Sequence, residues 1–308
     1  MSVGPVGKKA EWTMATSTLR HPAVAGRFYP ADPDDLRSEA LGYLSQASSP
    51  KQARLRALGC IAPHAGYMYS GHVAGAVFAG LDVPKRCIVL CPNHTGMGRP
   101  LAIMSEGAWQ TPLGDVPLDA ALARSLKAQF PALQEDSAAH RAEHAAEVEL
   151  PFLLLRQPAL SFVPIALGIG QFEILEQLGK ALAEVIAAQS DPVLIVASSD
   201  MNHYESDAVT RAKDHRAIER ILTLDPRGLF DVVTQQNISM CGYGPAVAML
   251  TAARQLGAKS AELVKYATSG DISGDRNKVV GYAGHLGRHF RRSQQGRRLC
   301  RGCGVVTF

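Results

Sequence analysis

Nowhere in the 308 residues does an apolar run approach the roughly 18 or more residues that a membrane span needs. The first segment, Met1 to Arg20 (MSVGPVGKKAEWTMATSTLR), lacks the apolar centre of a secretory signal. These absences exclude a membrane-spanning helix and set the expectation of a soluble, cytoplasmic protein. Cysteine is sparse as well: six thiols (Cys60, Cys87, Cys91, Cys241, Cys300 and Cys303) are scattered through a long chain. A disulfide-stapled secreted domain has a much denser framework, so reduced thiols are expected. Acidic residues are missing from the C-terminal tail, where Arg288, Arg291, Arg292, Arg297, Arg298 and Arg301 stand alone. Taking those six charges from the net +4 leaves a body of −2, which has no electrostatic footprint for nucleic acid.

With 46% hydrophobic and 19% charged residues, the chain can bury a sizeable core. No internal repeat and no linker divides it. The expected organisation is an N-terminal disordered extension over residues 1–20, one α/β domain over 21–288, and a basic disordered tail over 289–308. Within that tail Cys300 and Cys303 have C-x-x-C spacing. A single pair without a second pair or a nearby histidine pair earns no metal or redox assignment.

From residue 56 onward apolar runs alternate with helical patterns. Strands are expected at Leu58 to Ala62, Arg86 to Leu90, Leu160 to Leu167 and Pro192 to Ala197. Helices are expected at His72 to Leu81, Phe172 to Ala188, Asp207 to Leu222 and after Pro245. Continuous apolar strands separated by helices imply a sheet covered on both faces, and the fold class read from this is an α/β sandwich with a mostly parallel central sheet. Leu101 to Asp119 fits a strand and hairpin excursion, and Tyr266 to Leu286 late strands joined by the polar turn Ser269 to Lys278.

Three strands end alike. They run into Pro63-His64-Ala65-Gly66, into Cys91-Pro92-Asn93-His94-Thr95-Gly96, and into Ser198-Ser199-Asp200-Met201-Asn202-His203. Ligands of open α/β sheets bind outside the carboxyl ends of the strands, so His64, His94, Asp200 and His203 are delivered to one rim. Imidazole is the commonest metal ligand, which makes His64 and His94 the first pair to consider.

A third ligand could be Cys241, Asp200, or a carboxylate of the segment Glu143-His144-Ala-Ala-Glu147. Cys241 precedes a turn that opens a helix, where the helix N-terminus is expected to lower its pKa. Cys91 is a weaker candidate near the rim, and Cys60 and Cys87 lie inside apolar strands. Glu143 to Leu150 carries a helical pattern with Glu143 and Glu147 on one face. It is not H-E-x-x-H, so a zinc protease is excluded. Either it is a solvated helix with satisfied charges or it orients a ligand histidine. His72, His140 and His215 read as helix-surface or cap residues. Asp200 and His203 are three apart, so the carboxylate is expected to orient the imidazole as a base.

Seven stretches, taken in order, resemble the Memo family in its prokaryotic form: P-A-V-A-G-R-F-Y-P (22–30), A-P-H-A-G-Y (62–67), P-N-H-T-G (92–96), T-P-L-G (111–114), E-H-A-A-E-V-E-L-P-F (143–152), S-S-D-M-N-H-Y (198–204) and M-C-G-Y-G-P (240–245). The resemblance spans roughly residues 20 to 288. It implies the fold of class III extradiol ring-cleaving dioxygenases, which bind non-haem Fe(II) through two histidines and a glutamate. Carried over, the histidines are His64 and His94, Cys241 takes the glutamate position, and Asp200 and His203 lie near the metal. A thiolate is softer than a carboxylate and admits copper or zinc beside Fe(II). The resemblance also implies a pathway link to a radical S-adenosylmethionine protein. The function expected is a non-haem iron oxidoreductase acting on a small-molecule or peptide substrate. The alternatives are a metal- or peptide-binding protein without turnover, and a zinc hydrolase using His203 as base.

Overall fold

The computed structural model describes residues 18–47 and 54–289. Residues 290–308, which hold Cys300 and Cys303, and the N-terminal extension up to residue 17 lie outside the described residues, while His289, expected to open the tail, ends a strand. Leu19 and Arg20, expected within that extension, form a two-residue strand paired with Ala108 and Trp109. With Ala108–Thr111 and Gly114–Pro117 they make a three-stranded sheet, so the anticipated hairpin excursion is present. No helix among the described residues is long and apolar enough to cross a membrane.

Among the described residues the main sheet has nine strands. Ala57–Ala62, Val193–Ser198, Arg86–Pro92 and Ser161–Leu167 lie side by side and run parallel. Outside Ser161–Leu167 the strand Leu101–Ile103 turns antiparallel, with Gln134–Glu135 parallel at the edge. Beyond Ala57–Ala62 the strand Val279–His289 is antiparallel and pairs also with Ala258–Thr268 and His203–Glu205, both antiparallel. The sheet is therefore mixed, and the expectation of a mostly parallel one is corrected. The reason is physical: a continuous apolar run reports burial on both faces, which an antiparallel strand under helices shares. Ala258–Thr268 and Val279–His289 are joined by ten residues containing only the short helix Gly270–Ser273. Such a link suits a hairpin better than a crossover.

Alternation along the central strands divides the core in two. Ile88 and Leu90 join Ile61, Ile165 and Ile195 on one face, beneath helices Phe172–Ala187, Tyr243–Gln255 and Asp207–Leu222. Cys87, Val89 and Cys91 join Cys60 and Val196 on the other, beneath Pro33–Ala47 and Tyr67–Ala79. The helix Phe172–Ala187 buries Leu175, Leu178, Leu182 and Val185, the three-and-four spacing of an apolar stripe. Asp225 caps Pro226–Gln235 by accepting from the Gly228 amide, with Pro226 at the first turn where its missing N–H costs nothing. All four central strands point their carboxyl ends to one rim, which carries the site.

Candidate metal centre

Each strand end places one side chain through backbone bonds of its own. Two residues past Ala62, the amide of His64 donates to Asp200 Oδ1 at 2.8 Å. That bond ties two neighbouring strand ends together, and His64 is fully buried there. Its Nδ1 lies 2.8 Å from Ser198 Oγ, on the strand alongside, leaving Nε2 to face the cleft. Past Pro92, the His94 amide donates to Glu143 Oε2 at 2.6 Å and its Nδ1 faces Glu143 Oε1 at 2.9 Å. One buried carboxylate thus fixes both the backbone and the ring of His94, again freeing Nε2.

Cys241 is brought in by close packing. Gly242 sits so near Ser198 and Ser199 that a Cβ there would stand 2.3 Å from the Ser198 carbonyl, and its amide donates to Ser199 Oγ. Only glycine allows that approach. Cys241 Sγ then lies 3.3 Å from His64 Nε2 and accepts from the Asp200 amide at 3.3 Å. His64, His94, Asp200, His203 and Cys241, the five site residues named from sequence, line one cleft of about 740 Å³.

The structure adds His144. Its ring stacks on His94 with centroids 4.8 Å apart, and donor atoms of His64, His94 and His144 all lie within 4.8 Å of one another. Sequence reasoning left this residue without a role because it placed Glu143 to Leu150 on a helix. That segment is a turn, and the next helix begins at Leu150. Glu143, Glu147 and Glu149 are all fully buried, so the solvated-helix reading is overturned. Their partners explain the turn. Glu147 accepts from the Ala23 and Val24 amides and from Tyr29, and pairs with Arg20. Arg20 also donates to the carbonyls of His140 and Glu143 and lies over Trp109, 4.3 Å from its centroid. His140, expected on a helix surface, is fully buried against the same tryptophan. His215 is exposed and His72 half-buried on their helices.

Two further expectations are corrected. Asp200 does not orient His203 by a hydrogen bond: His203 Nδ1 faces the Ser239 carbonyl at 2.8 Å, and its amide donates to Ser239 Oγ. Asn202 holds Ser239 in turn, and Tyr204 beyond His203 has a φ of 62°, a left-handed conformation uncommon for a bulky residue. Nor does the helix terminus bring Cys241 down overall, although the Gly242 amide at that terminus pulls it that way. Burial pushes the thiol up and the Asp200 charge adds to it, beyond what hydrogen bonds from Asp200, Ser199 and Gly242 recover. Cys91 is fully buried in the core and is no ligand candidate.

The imidazoles differ electrostatically. Burial, and then repulsion from His144, His94 and His203, holds His64 well below its ordinary value. His94 moves the other way, because the hydrogen bond and charge of Glu143 outweigh burial. Glu143 is held below the carboxylate range, its burial overcome by His94 and the Ala145 amide. An ionised carboxylate behind an imidazole raises the donor strength of the far nitrogen.

A family model described as Memo-like protein matches residues 20–286. A MEMO1 family protein of Methanothermobacter thermautotrophicus is 41% identical, covering 87% of this chain and 99% of its own. One from Methanopyrus kandleri is 40% identical over 86% of this chain and 97% of its own. Among solved structures, an uncharacterized protein from Escherichia coli K12 superposes with a TM-score of 0.50 at 14% identity, over 75% of this chain and all of that one. At that identity the likeness is one of fold.

Proposed function

This chain belongs to the Memo-like family, and from that membership and the cleft geometry we propose that it is a metal-dependent oxidoreductase with Fe(II) held by His64, His94 and Cys241. The observation that carries this reading is the approach of Cys241 Sγ to His64 Nε2 at 3.3 Å, beside a second imidazole whose Nδ1 is already engaged. Nitrogen and sulfur donors bound to one ion at about 2.0 to 2.3 Å stand roughly 3 to 3.6 Å apart. The pair fits a shared ion as it stands. Copper or zinc suits the same donors, since thiolate and imidazole bind all three. Bound there, the metal would supply Lewis acidity and, for iron or copper, electron transfer.

The chain's own residues do the rest. Glu143 and Ser198 engage Nδ1 of the two rings, which leaves each Nε2 free to hold the ion. Cys241 gives up its proton to bind, so metal affinity rises with pH. A carbonyl can only accept, so His203 carries its proton on Nδ1 against Ser239 and offers Nε2 as general base to a substrate in the cleft. Asp200 acts as a positioning residue by tying the His64 backbone to the strand end. Ring-cleaving dioxygenase chemistry is the form of oxidation the family resemblance favours. The test is oxygen uptake by anaerobically prepared, Fe(II)-loaded protein with a simple catechol as probe. Metal-dependent uptake that His203→Ala lowers by on the order of a hundredfold is expected. No uptake above the metal-free protein, with iron unchanged on exposure to air, contradicts the proposal.

His144 favours a second reading. If an ion sat among the imidazoles of His64, His94 and His144, whose donor atoms lie within 4.8 Å of one another, and Cys241 were added as a fourth donor, the coordination would close as in structural sites, and the protein would hold metal without turnover. Oxygen uptake that rises in His144→Ala distinguishes the two.

A further inference from the structure

Glu149 is a buried acid that neither the donor set nor the base employs. It lies in the turn before the helix Leu150–Arg156, fully buried. One carboxyl oxygen is 2.8 Å from Ser198 Oγ, and the other, Oε2, has no hydrogen-bond partner. The charged group that bears on it is Asp200, of its own sign. Its other titratable neighbours are the Cys60 and Cys91 thiols and the Tyr67 phenol, each held in its neutral form by burial. Tyr67 spends its hydroxyl on the Val148 carbonyl.

Ser198 Oγ is the junction. It has three neighbours: His64 Nδ1 at 2.8 Å, the Ala145 carbonyl at 2.7 Å and Glu149 Oε1 at 2.8 Å. A hydroxyl has one hydrogen to give and two lone pairs. The Ala145 carbonyl can only accept, so it takes the serine hydrogen. The remaining two neighbours must then both donate. An ionised Glu149 would compete with the carbonyl for that hydrogen, leaving one acceptor facing a lone pair and an unpaired charge in the core.

We infer that Glu149 is a neutral carboxylic acid that donates its proton to Ser198 Oγ, and that the two residues together lock His64 as the Nδ1–H tautomer with Nε2 free toward Cys241. Burial supports the neutral form, raising the carboxyl well above its usual range against the pull of the Ser198 bond, with Asp200 adding to the rise. The two candidate ligands then have opposite supports. His94 is backed by an ionised carboxylate, while His64 is backed by a neutral chain ending in an acid. Glu149 is a positioning residue, and only the description of His64 as a ligand rests on the proposed function.

The experiment uses metal-free, full-length protein, so it stands apart from any metal result. Urea unfolding of wild type and Glu149→Gln is compared from pH 5 to pH 8. Glutamine keeps a donor against Ser198 and cannot ionise. An unfolded glutamate titrates near pH 4.3, so above that the unfolded wild type has lost a proton that the folded state keeps. The wild-type folding equilibrium constant should fall about tenfold per pH unit relative to Glu149→Gln, until the folded acid itself ionises. A difference that does not vary with pH overturns the inference. Should Glu149→Gln not fold, carbon-13 NMR of wild type labelled at glutamate carboxyls decides: one glutamate in the protonated range at pH 7 is expected, and none overturns it. Nitrogen-15 NMR reads the ring, where His64 should carry its proton on Nδ1, and a proton on Nε2 contradicts the lock.

Discussion

Replacing Glu143 by glutamine changes few atoms and should cost much of the metal affinity. The carboxylate accepts three hydrogen bonds, from His94 Nδ1 at 2.9 Å and the Ala145 amide at 2.9 Å on Oε1, and from the His94 amide at 2.6 Å on Oε2. Glutamine offers one oxygen and one NH2. With its oxygen in the Oε1 position, the NH2 meets the His94 amide donor to donor and the strand end must shift. Turned round, the NH2 faces His94 Nδ1 and drives the ring proton to Nε2, the atom a metal needs. Either arrangement should weaken binding about 10- to 100-fold, the usual cost of losing such a support and equal to about 1.4 to 2.7 kcal/mol. The assay is anaerobic competition for Zn(II), as a redox-silent probe, against a chromophoric chelator, with circular dichroism to verify the fold. Because the hydrogen bond and charge of Glu143 raise His94 above its ordinary value, the metal-free variant should protonate that imidazole at a lower pH than metal-free wild type. Affinity within twofold of wild type, with the His94 titration of the metal-free protein unmoved, would refute the reasoning.

Arg20→Met strands Glu147 without its cation in a fully buried setting, and should destabilise the protein by about 3 to 5 kcal/mol in urea unfolding; under 1 kcal/mol contradicts it. Asp214, buried and pushed up to about 7 by desolvation, accepts from the Asn202 amide and from Tyr266. A raised carboxyl contributes stability below its unfolded pKa of about 3.9 that is lost as pH rises through the folded value, so wild type should lose stability relative to Asp214→Asn between about pH 4 and 7 and no further above that. Equal pH profiles would contradict this. His203→Ala should retain its metal while turnover falls by on the order of a hundredfold, and turnover at the wild-type level removes His203 from the chemistry.

What could be read from sequence follows from which physical signal each residue carries. The four central strands announce themselves because both faces are buried and their runs are wholly apolar, and their carboxyl ends carry His64, His94 and Asp200 to one rim. Strand direction at the flanks leaves no such mark, so the antiparallel pairing of Val279–His289 and Leu101–Ile103 with the central strands, which makes the sheet mixed, is not legible there. Glu143 to Leu150 misled because carboxylates at helical spacing look solvated. The partners of Glu147 are Arg20, the Ala23 and Val24 amides and Tyr29, more than a hundred residues away, and those of Glu143 and Glu149 include His94 and Ser198, each 49 residues away. The same long-range pairing hid the role of Ser239, whose carbonyl orients His203 where a local Asp200 contact was expected. His144 could have been found by asking which imidazole follows the carboxylate that holds His94.

The central claim is that His64, His94 and Cys241 hold one metal ion, and elemental analysis of anaerobically purified protein tests it most directly. Wild type should carry iron near one equivalent per chain, His64→Ala, His94→Ala and Cys241→Ser should lose most of it while remaining folded, and His144→Ala should keep it. Metal at wild-type levels in the first three variants, or its loss only in His144→Ala, would contradict the account.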